Sequence, residues 1–228
     1  MRASYLVLAI LSLTLWASCS SDSTSPASSF SGSPDAKASE DAKSGGIYKG
    51  VIAGSSGYFA VVLQSGLTHI KVTMDGESRT LTTTGLASWV SGEPIKNVVF
   101  ASGDWQATFS VGAAGNTPSI SFSIPGHTDP RVALLKEYSN GQVRLYEGSY
   151  TGTSSGTWNF LTQGPALTGV SRSQDGNSSL TFYGFVNENS LTLDVVEGTG
   201  TFSGDNVSGT WSLSGSADSG TWTGKRVM

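Results

Sequence analysis

One cysteine, two histidines, seven prolines and three methionines are spread over 228 residues, and each shortage removes a class of chemistry. A single thiol, Cys19, excludes an intramolecular disulfide framework and any paired-cysteine metal or redox motif. His69 and His127 are too few to make a zinc site without carboxylate partners at unknown distances, and each reads as a solvated or hydrogen-bonded imidazole. Charge is also scarce: 13 Lys and Arg against 17 Asp and Glu give a net charge of −4. Those charges are scattered, so no basic face exists to neutralise phosphates, and nucleic acid is not expected as a partner. There is no Gly-x-Ser-x-Gly elbow, no phosphate-binding loop and no His-Glu-x-x-His. Asp205-Asn206 and Asp175-Gly176-Asn177 offer oxygen ligands without the density of a calcium loop. No catalytic residue, metal ligand or cofactor is therefore assigned, and a non-enzyme is expected.

What is present begins with an address. After Arg2 comes an apolar stretch over residues 5–16, then Ala17-Ser18-Cys19. A membrane-spanning helix needs about 20 apolar residues, and this stretch is shorter and ends in the small residues of a processing site. The layout resembles the signal of bacterial lipoproteins, although Trp16 stands where that pattern usually carries Leu. The resemblance implies removal of residues 1–18, lipidation of Cys19 and a membrane partner reached through that lipid. Ser20 in place of Asp resembles the sorting pattern for the outer membrane of the bacterial cell envelope. The alternative is an ordinary secretory signal cut elsewhere, leaving Cys19 a free thiol. Residues 19–46 hold Phe30 as their one large apolar side chain before the closing Gly45-Gly46, so little burial offsets the entropy of ordering them. They read as a disordered tether.

From Ile47 onward the local pattern has period two. Residues 58–63, 69–74, 105–111, 119–124 and 191–196 are rich in β-branched and aromatic side chains, and Asp75-Gly76, Ser102-Gly103-Asp104, Gly115-Asn116 and Asp175-Gly176-Asn177 mark turns. The expected fold is all-β, with antiparallel up-and-down strands. At most one short helix is expected, capped by Asp129 with Pro130 at its first position and Asn140-Gly141 at its end. The same Asn140-Gly141 also suits a hairpin.

An internal repeat divides this region. Tyr48-Lys49-Gly50 through Gly57 returns as Tyr146-Glu147-Gly148 through Gly156; Leu67-Thr68 matches Leu167-Thr168, Asp75-Gly76 matches Asp175-Gly176, and Gly85 matches Gly184. Val98-Val99 against Val195-Val196 is a fainter echo. The reading is two related repeats, residues 47–143 and 144–228, forming small barrel or sandwich units. Asp75 and Asp175, each beside a turn glycine, suit capping of turn amides more than acid–base chemistry.

The 29 glycines include a recurring Gly-x-Trp spacing that ends at Trp105, Trp158, Trp211 and Trp222. In a bent antiparallel sheet, glycine lets an aromatic of the neighbouring strand lie across its missing side chain. These four tryptophans either fill the interior or line a ligand pocket, and they are the candidate ligand-binding residues. The Gly-Thr-Trp starts resemble small calycin-type barrels, and residues 156–169 are similar to the first hairpin of avidin-like proteins. Asn159-Phe160-Leu161 lacks the polar contacts that avidin-like biotin binding implies. The segment from Gly220 to Arg226 resembles the last barrel strand of surface lipoproteins that bind host proteins. Two functions follow as expectations: an envelope-displayed binding module for a small ligand, glycan or protein partner, or a structural envelope lipoprotein with a solid core. A hollow interior separates them.

Overall fold

A computed structural model describes residues 32–54, 56–128, 130–194 and 197–228. The leader, Cys19 and Val195-Val196 lie outside the described residues. The described residues form sixteen strands and a single 3₁₀ turn, Ala38–Glu40. Eight strands make each of two antiparallel sheets, as the alternating sequence patterns require.

The first sheet holds β1 (Gly46–Ile52), β2 (Gly57–Gln64), β3 (Leu67–Met74), β4 (Glu77–Thr82), β5 (Ile95–Ser102), β6 (Trp105–Val111), β7 (Ser119–Ser123) and β8 (Val132–Glu137). Its spatial order is β7-β6-β5-β4-β3-β2-β1-β8. The sheet curls strongly, because Phe59 on β2 meets Phe122 on β7 with ring centroids 5.0 Å apart, and Tyr48 on β1 meets Phe109 on β6 at 5.3 Å. The enclosed core runs from Tyr48 and Phe59 to Phe100, Phe109 and Ile120.

The second sheet holds β9 (Arg144–Gly152), β10 (Gly156–Gln163), β11 (Ala166–Ser173), β12 (Ser179–Asn187), β13 (Ser190–Leu193), β14 (Glu197–Ser203), β15 (Asn206–Ser212) and β16 (Ser219–Arg226). Each strand pairs with the next, and β16 returns to β9 through Gly220↔Gly152 to Arg226↔Tyr146, closing an up-and-down barrel.

Strand β1 is buried along its whole length because both of its faces are covered. Tyr48 and Ile52 enter the first core, while Val51 joins Ala53, Ala133, Leu145, Leu161 and Val170 in a second layer between the sheets. Asn159 Nδ2 donates to the Ile52 carbonyl at 2.7 Å, and Gln163 Nε2 to those of Lys136 and Gly141. The outer face of β10 is thereby fixed against β1 and β8.

Three expectations need correction. The helix over residues 130–141 does not form: Val132–Glu137 is β8, paired with β1 from Ile52↔Val132 to Ile47↔Glu137, and Ser139-Asn140 turns the chain between Tyr138 and Gly141, which pair as an antiparallel bridge. A strand edge on β1 and buried partners for Lys136 and Glu137 outweigh the local capping signal. The tether stops short of residue 46, since residues 35–45 dock on the first sheet. Asp35 pairs with Lys49 at 2.8 Å, Asp41 accepts from Ser139, and the Lys136 ammonium donates to the carbonyls of Glu40, Asp41 and Lys43. Polar contacts rather than apolar burial hold this strap. Finally, Gly85 sits in the loop after β4 whereas Gly184 lies inside β12 opposite Leu193, so these two are not equivalent.

Other landmarks do coincide. Gly50 faces Phe59 across β1–β2 as Gly148 faces Trp158 across β9–β10. Asp75 and Asp175 both occupy the turn between the third and fourth strand of their sheet. At the preceding hairpins Gln64 faces Leu67 and Gln163 faces Ala166, which places Leu167 one residue beyond the position of Leu67. A one-residue step reverses the face of a strand; Leu67 is accordingly exposed and Leu167 buried.

Candidate functional site

The closed barrel is packed at one end and hollow at the other. Along β10 the side chains of Trp158 and Phe160 point inward by strand alternation, stacked with centroids 4.7 Å apart and planes 11° from parallel. Below them Tyr146, Phe160 and Phe202 form an aromatic plug, with Tyr146 5.0 Å from Phe160 and 5.3 Å from Phe202. Above them lies a cavity of about 210 Å³, bounded by Trp158, Phe160, Phe182, Trp211 and Trp222 and reaching Leu180 and Leu213 near the turns.

Glycine makes this arrangement possible. Gly148 and Gly224 flank Trp158 so closely that a Cβ on either would lie within 2.5 Å of the indole; Gly200 and Gly209 do the same for Trp222. Trp211 faces Gly198 and Gly220 on its two neighbouring strands. Each indole lies flat over a missing side chain, and each uses its N–H internally. Trp158 Nε1 donates to the Ser149 carbonyl at 3.1 Å, Trp211 to Thr151 at 3.2 Å and Trp222 to Thr210 at 3.0 Å. The tryptophans therefore offer only ring faces and edges to the cavity.

The polar atoms at the cavity are hydroxyls. Ser154, Ser171, Ser173, Ser178 and Tyr150 contribute them, and among the described residues no Asp, Glu, Lys, Arg or His lines the space. Ser173 Oγ is already committed to Asp175 and Ser178. Burial, and secondarily the charge of Asp175, pushes the Tyr150 phenol up, so it stays protonated at neutral pH.

Of the four tryptophans singled out from the sequence, the structure brings Trp158, Trp211 and Trp222 together. Trp105 belongs to the first sheet, 5% exposed, with the Arg79 guanidinium 4.8 Å over its ring and Asp104 and Glu77 paired to Arg79. Sequence reading missed Tyr150, Phe160, Phe182 and Leu193. The alternation on β10 carried the signal for Phe160, two residues from Trp158. Asn159 faces the first sheet instead of the cavity.

A second, polar depression of about 660 Å³ runs between the sheets along Asp75, His127, Arg172 and Asp175. His127 Nε2 lies 2.9 Å from Asp75 Oδ2. Asp175 accepts from Ser173 Oγ and from both Asn177 nitrogens, which holds its carboxyl below the usual range. It is a turn cap, and Gly76 N is satisfied by Ser56. His69 lies apart on β3, its pKa lowered by burial. Among the described residues no group of three His, Cys, Asp or Glu could hold a metal ion, and no helix is long and apolar enough to cross a membrane.

No protein-family model and no curated protein matches this chain. A solved structure described as a surface lipoprotein is similar to it at a TM-score of 0.33 and 10% sequence identity, over 79% of this chain and 98% of that one.

Proposed function

We propose that the protein is a non-catalytic binding module of the bacterial envelope, lipid-anchored at Cys19, that receives a small ligand in the hollow end of its second barrel. The observation that carries this reading is the aromatic cavity of about 210 Å³. Eight-stranded barrels either pack solid or hold one small ligand. An apolar cavity of about 150 Å³ is enough to take benzene, so this space suits a molecule of about two fused rings. The structural-lipoprotein alternative needs a filled interior, and its support is confined to the Tyr146–Phe160–Phe202 end.

The anchor and the strap fit the same reading. A lipid at Cys19 would reach the folded region through the strap, which docks on the first sheet from Asp35 onward. Native mass spectrometry of the gently purified full-length chain tests the function. The proposal expects a co-purifying mass that is lost in Ser171→Phe, which would fill the cavity from β11. A single bare mass together with no uptake of an added fused-ring compound, or uptake that Ser171→Phe leaves unaltered, would favour the solid structural role.

A further inference from the structure

The geometry points to an uncharged ligand with a flat ring body and one hydroxyl or carbonyl group, seated ring-first against Trp158, Phe160 and Trp222 with its polar group at the mouth beside Ser171 and Tyr150. This rests on the proposed binding role of the barrel and narrows its ligand to a chemical class.

Three observations carry it. Among the described residues the lining contains no ionisable group other than the Tyr150 phenol, so a bound carboxylate, phosphate or ammonium would lose its hydration with no opposite charge to replace it. The deep end offers no hydrogen bond: all three indole N–H groups are spent on the carbonyls of Ser149, Thr151 and Thr210. A polar group on the ligand is therefore tolerated only toward the turns. There, Ser173 is occupied by Asp175 and Ser178, while the Ser171 and Tyr150 hydroxyls enter no hydrogen bond among the described residues. Ser171 sits directly opposite Trp158 on one neighbour and Leu180 on the other, so its hydroxyl shares the inward face.

The shape agrees with the chemistry. Trp158 and Phe160 present parallel planes, and Trp222 meets Trp158 edge-on at 88° with centroids 5.5 Å apart. These rings touch one another, so a flat ring lies in the cavity above the cluster, where it meets their cavity-facing edges in favourable edge-to-face arrangements. A flexible acyl chain would give up rotamer freedom for the same contacts.

Calorimetric titration of the full-length chain with three probes that share a 2-substituted naphthalene body tests this: 2-naphthol, 2-naphthoate and 2-naphthylmethylammonium at neutral pH. The expected result is saturable binding of 2-naphthol, with the two ions at least about tenfold weaker. Binding of 2-naphthol should be lost in Ser171→Phe and in Leu180→Trp, the latter at a half-open mouth position that tolerates bulk. If an ion binds as tightly as 2-naphthol and both variants abolish it, the uncharged class is wrong while the barrel site stands. If no probe binds, or binding survives both variants, the barrel reading fails and this inference fails with it.

Discussion

Gly148 lies directly across the β9–β10 ladder from Trp158, and a Cβ on that glycine would come within 2.3 Å of Trp158 Cζ2. The indole can lie over the strand only because the glycine has no side chain. Gly148→Ala is expected to press both on Trp158 and on the Thr223 carbonyl oxygen, 2.2 Å from the added Cβ, at a cost of about 1–3 kcal/mol from overpacking. Urea unfolding reads the loss, and an unchanged midpoint would show that both the ring and the neighbouring strand have room to move.

The four tryptophans should separate by site. Trp105→Ala is expected to destabilise the first sheet by about 3–5 kcal/mol, while 2-naphthol binding stays intact because Trp105 is remote from the barrel. Trp158→Ala removes one aromatic wall of the cavity and should reduce both stability and binding. Measuring unfolding and titration on the same preparations checks this; loss of binding in Trp105→Ala would tie the site to the wrong sheet.

Glu137 is fully buried, with Oε1 2.9 Å from Lys49 Nζ and accepting from Val143 N, and Oε2 accepting from Asp35 N. Glu137→Ala strands a buried lysine with Asp35 alone and is expected to cost about 3–5 kcal/mol. The double variant Lys49→Met with Glu137→Leu should cost clearly less than the single change, because no unpaired charge remains. Thermal or urea unfolding of the pair decides it; equal losses would mean that the charges are not coupled.

Asp41 gives the strap a pH response. Hydrogen bonds from the Ser139 hydroxyl and amide, at 2.7 and 2.9 Å, hold its carboxyl below the ordinary value of 3.8. Because the folded pKa is depressed, this contribution is present above the unfolded value and is lost as pH falls through the folded one. Hydrogen exchange at Ser139 should therefore lose protection below about pH 3.8, and Asp41→Asn should remove that pH dependence. Identical acid profiles for the two proteins would contradict the link.

Much of this fold was legible because its signals are local. The alternation at residues 105–111 matches β6, and Asp75-Gly76, with φ of 52° and 81°, forms the tight turn its sequence specifies. The Gly-x-Trp spacing located three of the cavity's aromatic walls. What stayed hidden depends on distant partners. β8 carries a helical capping signal, yet Ala133 and Glu137 are buried by β1, some 80 or more residues away in sequence. The strap lacks large apolar residues, so composition could not reveal contacts made by Asp35, Asp41 and backbone carbonyls. A hollow barrel end depends on which inward positions are small, and Ser171 looks like any other serine until its neighbours Trp158 and Leu180 are known.

The central claim, that the second barrel holds a ligand, is tested most directly by a crystal structure of the protein soaked with 2-naphthol. The account predicts ring density against Trp158, Phe160 and Trp222, with the oxygen toward Ser171 and Tyr150. A barrel whose own side chains fill that space, with no density for the probe, would contradict it.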